Sequence, residues 1–145
     1  MKLSILLFTF ALLTIHCGKG EPVEYANACN TQNNKKYIQV SGILEDKGGI
    51  YCSNTSGTYE CGFKLLQKAG DQKYLSSDIT VGNWSNNVER IDGSYKRDEV
   101  KIRDNNGELV KLGESVKLTG EITAVSSPSS PDGMVCYLKV YQIDR

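Results

Sequence analysis

The sequence predicts a small, mainly β domain stapled by disulfide bonds, either a barrel or a Greek-key sandwich. Two observations predict it. Strand-like alternation of apolar and polar residues recurs along the chain, and four cysteines follow a start that is typical of exported proteins. A length of 145 residues corresponds to one domain. No repeat, coiled coil or long helical pattern competes with this interpretation.

Residues 1–16 have the features of a signal peptide. Lys2 provides the positive start, and residues 3–15 form an apolar stretch. That stretch is too short to span a bilayer, which needs about 20 residues. We therefore expect an exported protein without a membrane-spanning helix.

Cys17 follows the apolar stretch directly, and Gly18 comes next. This arrangement resembles the signal of bacterial lipoproteins, in which the cysteine becomes the lipidated first residue. The resemblance predicts that Cys17 anchors the protein in the cell envelope. The alternative is a soluble secreted protein cut after Gly20, with Gly18 and Gly20 as the small residues at the cleavage site.

The segment that follows is rich in Gly, Pro and Asn, which oppose regular structure. It predicts a flexible tether over residues 17–35 and a single β domain over residues 36–145. Four cysteines lie after the signal, and an even number in an exported domain predicts two disulfides with three possible connectivities. They are Cys29, Cys52, Cys61 and Cys136.

One of these connectivities is favoured by a hairpin. Pairing Cys52 with Cys61 across two antiparallel strands also places Ile50 opposite Phe63, on the same face. A Cys52–Cys61 bridge leaves Cys29 to bond Cys136, which would tie the end of the tether to the last strand.

Three stretches alternate in the manner of strands, at residues 37–44, 115–122 and 134–143. The first two carry a mid-strand glycine at equivalent positions, Gly42 and Gly120. Glycine inside an alternating stretch marks a place where a strand bends sharply. Sharp bending of two strands favours a small barrel or sandwich.

A further hairpin is predicted over residues 100–112. A two-residue turn would place Ile102 opposite a lysine, whereas a three-residue loop over 105–107 places it opposite Val110. The second register keeps apolar residues together and requires Gly107 in the left-handed region.

The middle of the chain, residues 67–99, is less regular. Residues 83–93 have polar residues before Val88 and Ile91 and a glycine at position 93, which predicts one short helix. Two prolines indicate a loop over 126–133.

The alternating stretch with Gly42, the sequence LGESVKLTGEITAV and the later LKVYQI resemble the first, fourth and fifth strands of an OB-fold barrel. The similarity is to the anticodon-binding type and to OB-like domains of small bacterial lipoproteins. The residues before Cys17 are similar to the relaxed lipidation signal of spirochaetes. These resemblances imply a closed OB-like barrel, and a surface lipoprotein that binds a host extracellular-matrix or plasma protein.

The chemistry of the chain argues against catalysis. Its single histidine, His16, lies in the signal, so the mature domain has no histidine for acid–base work or metal ligation. Paired cysteines leave no thiolate nucleophile. We expect no enzymatic activity, no cofactor and no metal site.

A candidate binding face lies on the last strand, where Tyr137, Lys139 and Tyr141 share one side. OB-folds bind single strands and sugars by stacking on such rings, so an oligonucleotide- or glycan-binding module is the second hypothesis. A formal net charge of zero makes nucleic acid the weaker partner. The leading hypothesis is a non-enzymatic envelope lipoprotein that binds a protein, and a soluble secreted inhibitor is the third.

Overall fold

The computed structural model describes residues 19–145. The predicted signal peptide, including His16, and the lipidation candidate Cys17 lie outside the described residues. The described chain is mainly β, as predicted, and its only helices are three 3-10 turns of three residues each. None of the helices in this part is long and apolar enough to cross a membrane.

The strands run in chain order as β1 (Glu21–Pro22), β2 (Tyr37–Glu45), β3 (Tyr51–Thr55), β4 (Thr58–Leu66), β5 (Leu75–Thr80), β6 (Ile102–Arg103), β7 (Leu109–Val110), β8 (Ser115–Ser126) and β9 (Met134–Asp144). The 3-10 turns are Tyr25–Asn27, Thr31–Asn33 and Arg97–Glu99.

Seven strands form one sheet in the order β1-β2-β8-β9-β5-β4-β3, and β2 pairs in addition with β4. The β5–β9 and β1–β2 pairings are parallel and the others are antiparallel. Strands β6 and β7 form a separate hairpin.

The predicted mid-strand glycines lie where β2 and β8 change direction. Residues Tyr37 to Ile43 of β2 pair with β8, and Ile43 to Glu45 pair with β4. A Cβ at Gly42 would lie 2.5 Å from the carbonyl oxygen of Leu66, so only glycine permits this approach of β4. Gly120 lies at a register shift between β8 and β9, where a Cβ would collide with the carbonyl of Lys139.

The core is built by the inward residues of the alternating strands. Ile38, Val40 and Leu44 of β2 are almost fully buried, as are Leu118 and Ile122 of β8. Each such side chain stabilises the fold by about 1.5–3 kcal/mol relative to an exposed position. The same alternation places the intervening residues on the outer surface, where the candidate site lies.

The connection from β5 to β8 supplies further core residues from a hairpin. Ile102 pairs with Val110, and Gly107 has φ +80°, as predicted for the three-residue loop. Ile102 and Val88 are both fully buried. Asn86 Oδ1 accepts a hydrogen bond from the backbone N of Ile143 at 2.8 Å, which attaches this connection to the end of β9.

The predicted helix over residues 83–93 is wrong. Val88 forms bridges with Val81 and Ile102, and its backbone N donates to the carbonyl of Thr80 at 3.0 Å. Asn86 has φ +63°, outside the helical region. The β-branched Val88 therefore extends the sheet pairing, which buries it more completely than one exposed helical turn would.

The structure contains a Cys52–Cys61 bridge between β3 and β4 and a Cys29–Cys136 bridge to β9, the connectivity that the hairpin register favours. The expected tether over residues 17–35 requires a correction from Glu21 onward. β1 pairs with β2, Ala28 is buried, and Asn34 Oδ1 accepts a hydrogen bond from the backbone N of Ala124. This segment packs on the sheet because a disulfide and apolar contacts hold it there.

Candidate functional site

The three residues predicted to form a binding face lie together on the outer surface of β9. Tyr137 and Tyr141 are 37% and 48% exposed, and Lys139 lies between them. The Tyr141 ring lies 5.9 Å from that of Tyr37 on β2, centroid to centroid. Burial, followed by the nearby Tyr141, raises the pKa of Tyr37. The face therefore combines two neighbouring aromatic rings with a lysine.

A row of charged side chains crosses this face, because strand register sets residues of four strands side by side. Asp78 of β5 is paired with Lys139 of β9, which is paired with Glu121 of β8. Glu121 is paired in turn with Tyr37 of β2. Directly paired residues on one face lie within reach of each other.

Lys139 is not a free cation. Its Nζ lies 3.0 Å from Oε1 of Glu60, a β4 residue that is only 7% exposed. The Glu60 contact raises the pKa of Lys139. At the edge of the row, Lys35 Nζ lies 3.5 Å from Glu121 Oε1. Both lysines of the site thus face carboxylates.

Asp78, in contrast to the two lysines, has no partner of opposite charge among residues 19–145. Burial raises its pKa first, and the charge of Glu60 raises it further, while Lys139 lowers it. Within residues 19–145, Asp78 takes part in no ion pair, since the two lysines are bound to Glu60 and Glu121. A carboxylate that is partly removed from water and has no cation of its own is left at the centre of the face.

A cavity of about 290 Å³ opens over these residues. Its wall includes Tyr137, Thr55 and Thr123. Gly62 lies opposite Asp78 in the β4–β5 pairing, and a Cβ there would be 3.5 Å from Asp78 Oδ1. The missing side chain at Gly62 therefore leaves open space beside the Asp78 carboxylate.

Sequence reasoning missed Glu60, Asp78 and Glu121 as site residues. The alternation of LSSDIT places Asp78 on the outer face of its strand, and that signal was available. The proximity of Glu60 was not, because it depends on how β4, β5 and β9 pair across the fold.

Two larger cavities, of about 620 and 710 Å³, flank the Cys29–Cys136 bridge and share Tyr74. In the part of the chain that the structure describes, two buried side-chain atoms lack a hydrogen bond, Glu60 Oε1 and Arg103 Nε. Glu60 lines the cavity over β5 and β9, so the outer face of β9 is the better candidate.

The three carboxylates do not form a metal centre. No group of three or more metal-ligating side chains within residues 19–145 is close enough to hold an ion. The site offers hydrogen-bond acceptors, two compensated ammonium groups and aromatic rings, which suit binding. No protein-family model, curated protein or solved structure matches the chain.

Proposed function

We propose that the sheet is a closed, five-stranded barrel of the OB-fold type. The pairings β2–β8, β8–β9, β9–β5, β5–β4 and β4–β2 form a continuous circuit, which supports closure. The parallel β5–β9 pair and the bend at Gly42 agree with this architecture. A Greek-key sandwich would divide these strands between two sheets.

The chain is, in this proposal, an exported lipoprotein held in the bacterial envelope through Cys17. Two disulfides support an oxidising compartment. A bacterial lipoprotein carries several acyl chains, which hold a membrane firmly, whereas one chain binds only marginally.

Replacing Cys17 with serine tests the anchor. We expect Cys17→Ser to move the protein from the membrane fraction into the soluble fraction, with the signal retained, as measured by fractionation and intact mass. Lys19→Ser is the matched control and should stay with the membrane. A wild-type protein that is wholly soluble and begins at Glu21 would contradict the anchor.

The module binds a protein and performs no catalysis. The observation that carries this proposal is the state of Lys139, which is paired with Glu60 and flanked by Asp78 and Glu121. A phosphodiester backbone is recognised through uncompensated Lys and Arg, and this face has an excess of carboxylate. Exposed tyrosines beside a polar rim are typical of protein interfaces.

By analogy with spirochaete surface lipoproteins, the partner is a host extracellular-matrix or plasma protein. The second candidate, a glycan, draws support from the neighbouring rings of Tyr37 and Tyr141, on which a sugar could stack.

A photo-crosslinking amino acid at Tyr141, introduced in intact cells exposed to plasma or matrix proteins, tests the function. The expected result is one discrete protein adduct from position 141. The exposed Ser94, in the connection between β5 and β8, is the control position and should give none. Salt-dependent binding of a single-stranded oligonucleotide, with no protein adduct, would contradict the proposal.

A further inference from the structure

We infer that the cavity over β5 and β9 binds one cationic side chain of the partner, an arginine guanidinium, between Asp78 and Glu60. This inference rests on the proposed function, whose partner is a protein. It assigns the chemistry that the partner must present at the centre of the face.

The first argument is the balance of charge in the cavity. Three carboxylates line it, those of Glu60, Asp78 and Glu121, against two ammonium groups. Lys139 faces Glu60 at 3.0 Å, and Lys35 faces Glu121 at 3.5 Å. One carboxylate charge, on Asp78, is left over, and a single added cation neutralises it.

The second argument is independent of charge counting. Glu60 is only 7% exposed, and its Oε1 forms an ion pair with the Lys139 ammonium at 3.0 Å. An ionised carboxylate has about four acceptor sites, so this one ion pair leaves acceptor capacity on Glu60 unused in a buried place. A donor that enters the cavity would share this carboxylate with Lys139, which indicates a ligand with N–H groups.

The third argument is the shape of the cavity. The absent side chain at Gly62 leaves space beside Asp78 Oδ1, and the volume of about 290 Å³ exceeds that of one guanidinium with its stem. Tyr137 lines the same cavity, and an aromatic ring attracts a guanidinium that packs over its face.

A guanidinium fits these features better than an ammonium. Its planar fork has five N–H donors, which can reach two carboxylates at once, and it is weakly hydrated. A compact ammonium would compete with the Lys139 ammonium for the same oxygen of Glu60. A phosphate or sulfate is excluded, because its negative charge would be repelled by the carboxylates of Glu60 and Asp78.

The test uses the complete exported protein, labelled with ¹⁵N and purified with detergent present. The probes are Nα-acetyl-arginine amide and its neutral isostere Nα-acetyl-citrulline amide, followed by backbone amide shifts. We expect saturable shifts at residues 77–79 and 138–140 with the arginine probe. The citrulline probe should bind about tenfold more weakly, because it lacks the charge.

Two variants locate the site. Asp78→Asn should weaken the arginine probe by about tenfold, whereas the exposed control Asp132→Asn should leave its affinity unchanged. Gly62→Ala should also weaken it, because the added methyl group narrows the space beside Asp78. Circular dichroism of each variant verifies that it is folded.

Equal binding of the two probes, or unchanged affinity in both variants, would overturn the inference. Saturable binding of methyl α-glucoside in place of the arginine probe would assign the cavity to sugars and also overturn it. Arginine binding without a protein adduct at position 141 would retain the cavity and reject the protein partner. An adduct without arginine binding would reject only the cavity.

Discussion

Asp78 and Asp104 are both withdrawn from water, and their pKa values move in opposite directions. Asp104, at the start of the β6–β7 loop, is 2% exposed. Burial raises its pKa, but hydrogen bonds from the backbone N of Glu108 and of Asn106, together with Arg145, more than offset this and leave it lowered. Asp78 has no such donors, and its pKa is raised by burial and by Glu60.

The difference lies in whether the fold itself satisfies the carboxylate. Asp104 Oδ1 accepts from Asn106 N and Glu108 N at 2.9 Å each, and Oδ2 lies 3.1 Å from Arg145 Nε. Such a group serves the structure, because two of its bonds close the β6–β7 turn and the third attaches that turn to Arg145. Asp78 lacks these bonds, since the neighbouring Lys139 is paired with Glu60, so the charge of Asp78 is available to a ligand.

The largest expected change in the free energy of unfolding is at Asp104, whose carboxylate is fully hydrogen-bonded within the fold. Asp104→Ala should lower the free energy of unfolding by about 1–3 kcal/mol, because it leaves the backbone N–H groups of Asn106 and Glu108 and the Arg145 guanidinium without their acceptor. Urea denaturation followed by circular dichroism measures the change. Asp98→Ala, at an exposed position, is the control and should stay within about 0.5 kcal/mol of wild type. A change of that small size at Asp104 would contradict a structural role.

A smaller effect of opposite sign is expected at the candidate site. Asp78→Asn should raise the free energy of unfolding at pH 7 by less than about 1 kcal/mol, since it removes an uncompensated charge that solvent partly screens. The same denaturation experiment measures it, with Asp132→Asn as the neutral comparison. Clear destabilisation by Asp78→Asn would mean that the fold depends on this carboxylate after all.

The smallest effect is in the pH dependence. The pKa of Asp78 is raised above its ordinary value of 3.8, so ionisation costs stability above the folded pKa, and this cost disappears as the pH falls towards 3.8. The gap between Asp78→Asn and wild type should therefore close on acidification from pH 7 to 4. Asp104 behaves in reverse, because its lowered pKa contributes stability above 3.8 that is lost at lower pH. A gap at Asp78 that widens in acid would refute its raised pKa.

Local pattern was sufficient to predict part of the fold. Alternation predicted the outer position of Tyr137 and Lys139, and the pairing of apolar residues predicted the register of Ile102 with Val110. Both features depend on neighbours in the sequence or in one hairpin. The segment around Val88 was mispredicted as a helix, because its polar caps resemble helix ends and its actual partners, Val81 and Ile102, are set by the fold.

Of the candidate site, the sequence predicted only the outward residues of β9 and none of the carboxylates around them. Lys139 was identified as an outward lysine, but Glu60, which neutralises it, reaches it across the fold from β4. Charge compensation of this kind decides between a polyanion and a cationic partner, and no spacing along the sequence encodes it. The N-terminal segment was mispredicted as a tether for a similar reason, since Ala28 and Cys29 are held by distant strands.

Carboxyl-detected NMR titration of the two aspartates tests the central claim most directly. Without a probe, Asp78 should titrate above 3.8 and Asp104 below it. Saturating Nα-acetyl-arginine amide should lower the pKa of Asp78 and leave that of Asp104 unchanged, because a bound cation favours the ionised form. An Asp78 that titrates below 3.8 without a probe, or does not respond to the arginine probe, would contradict the account.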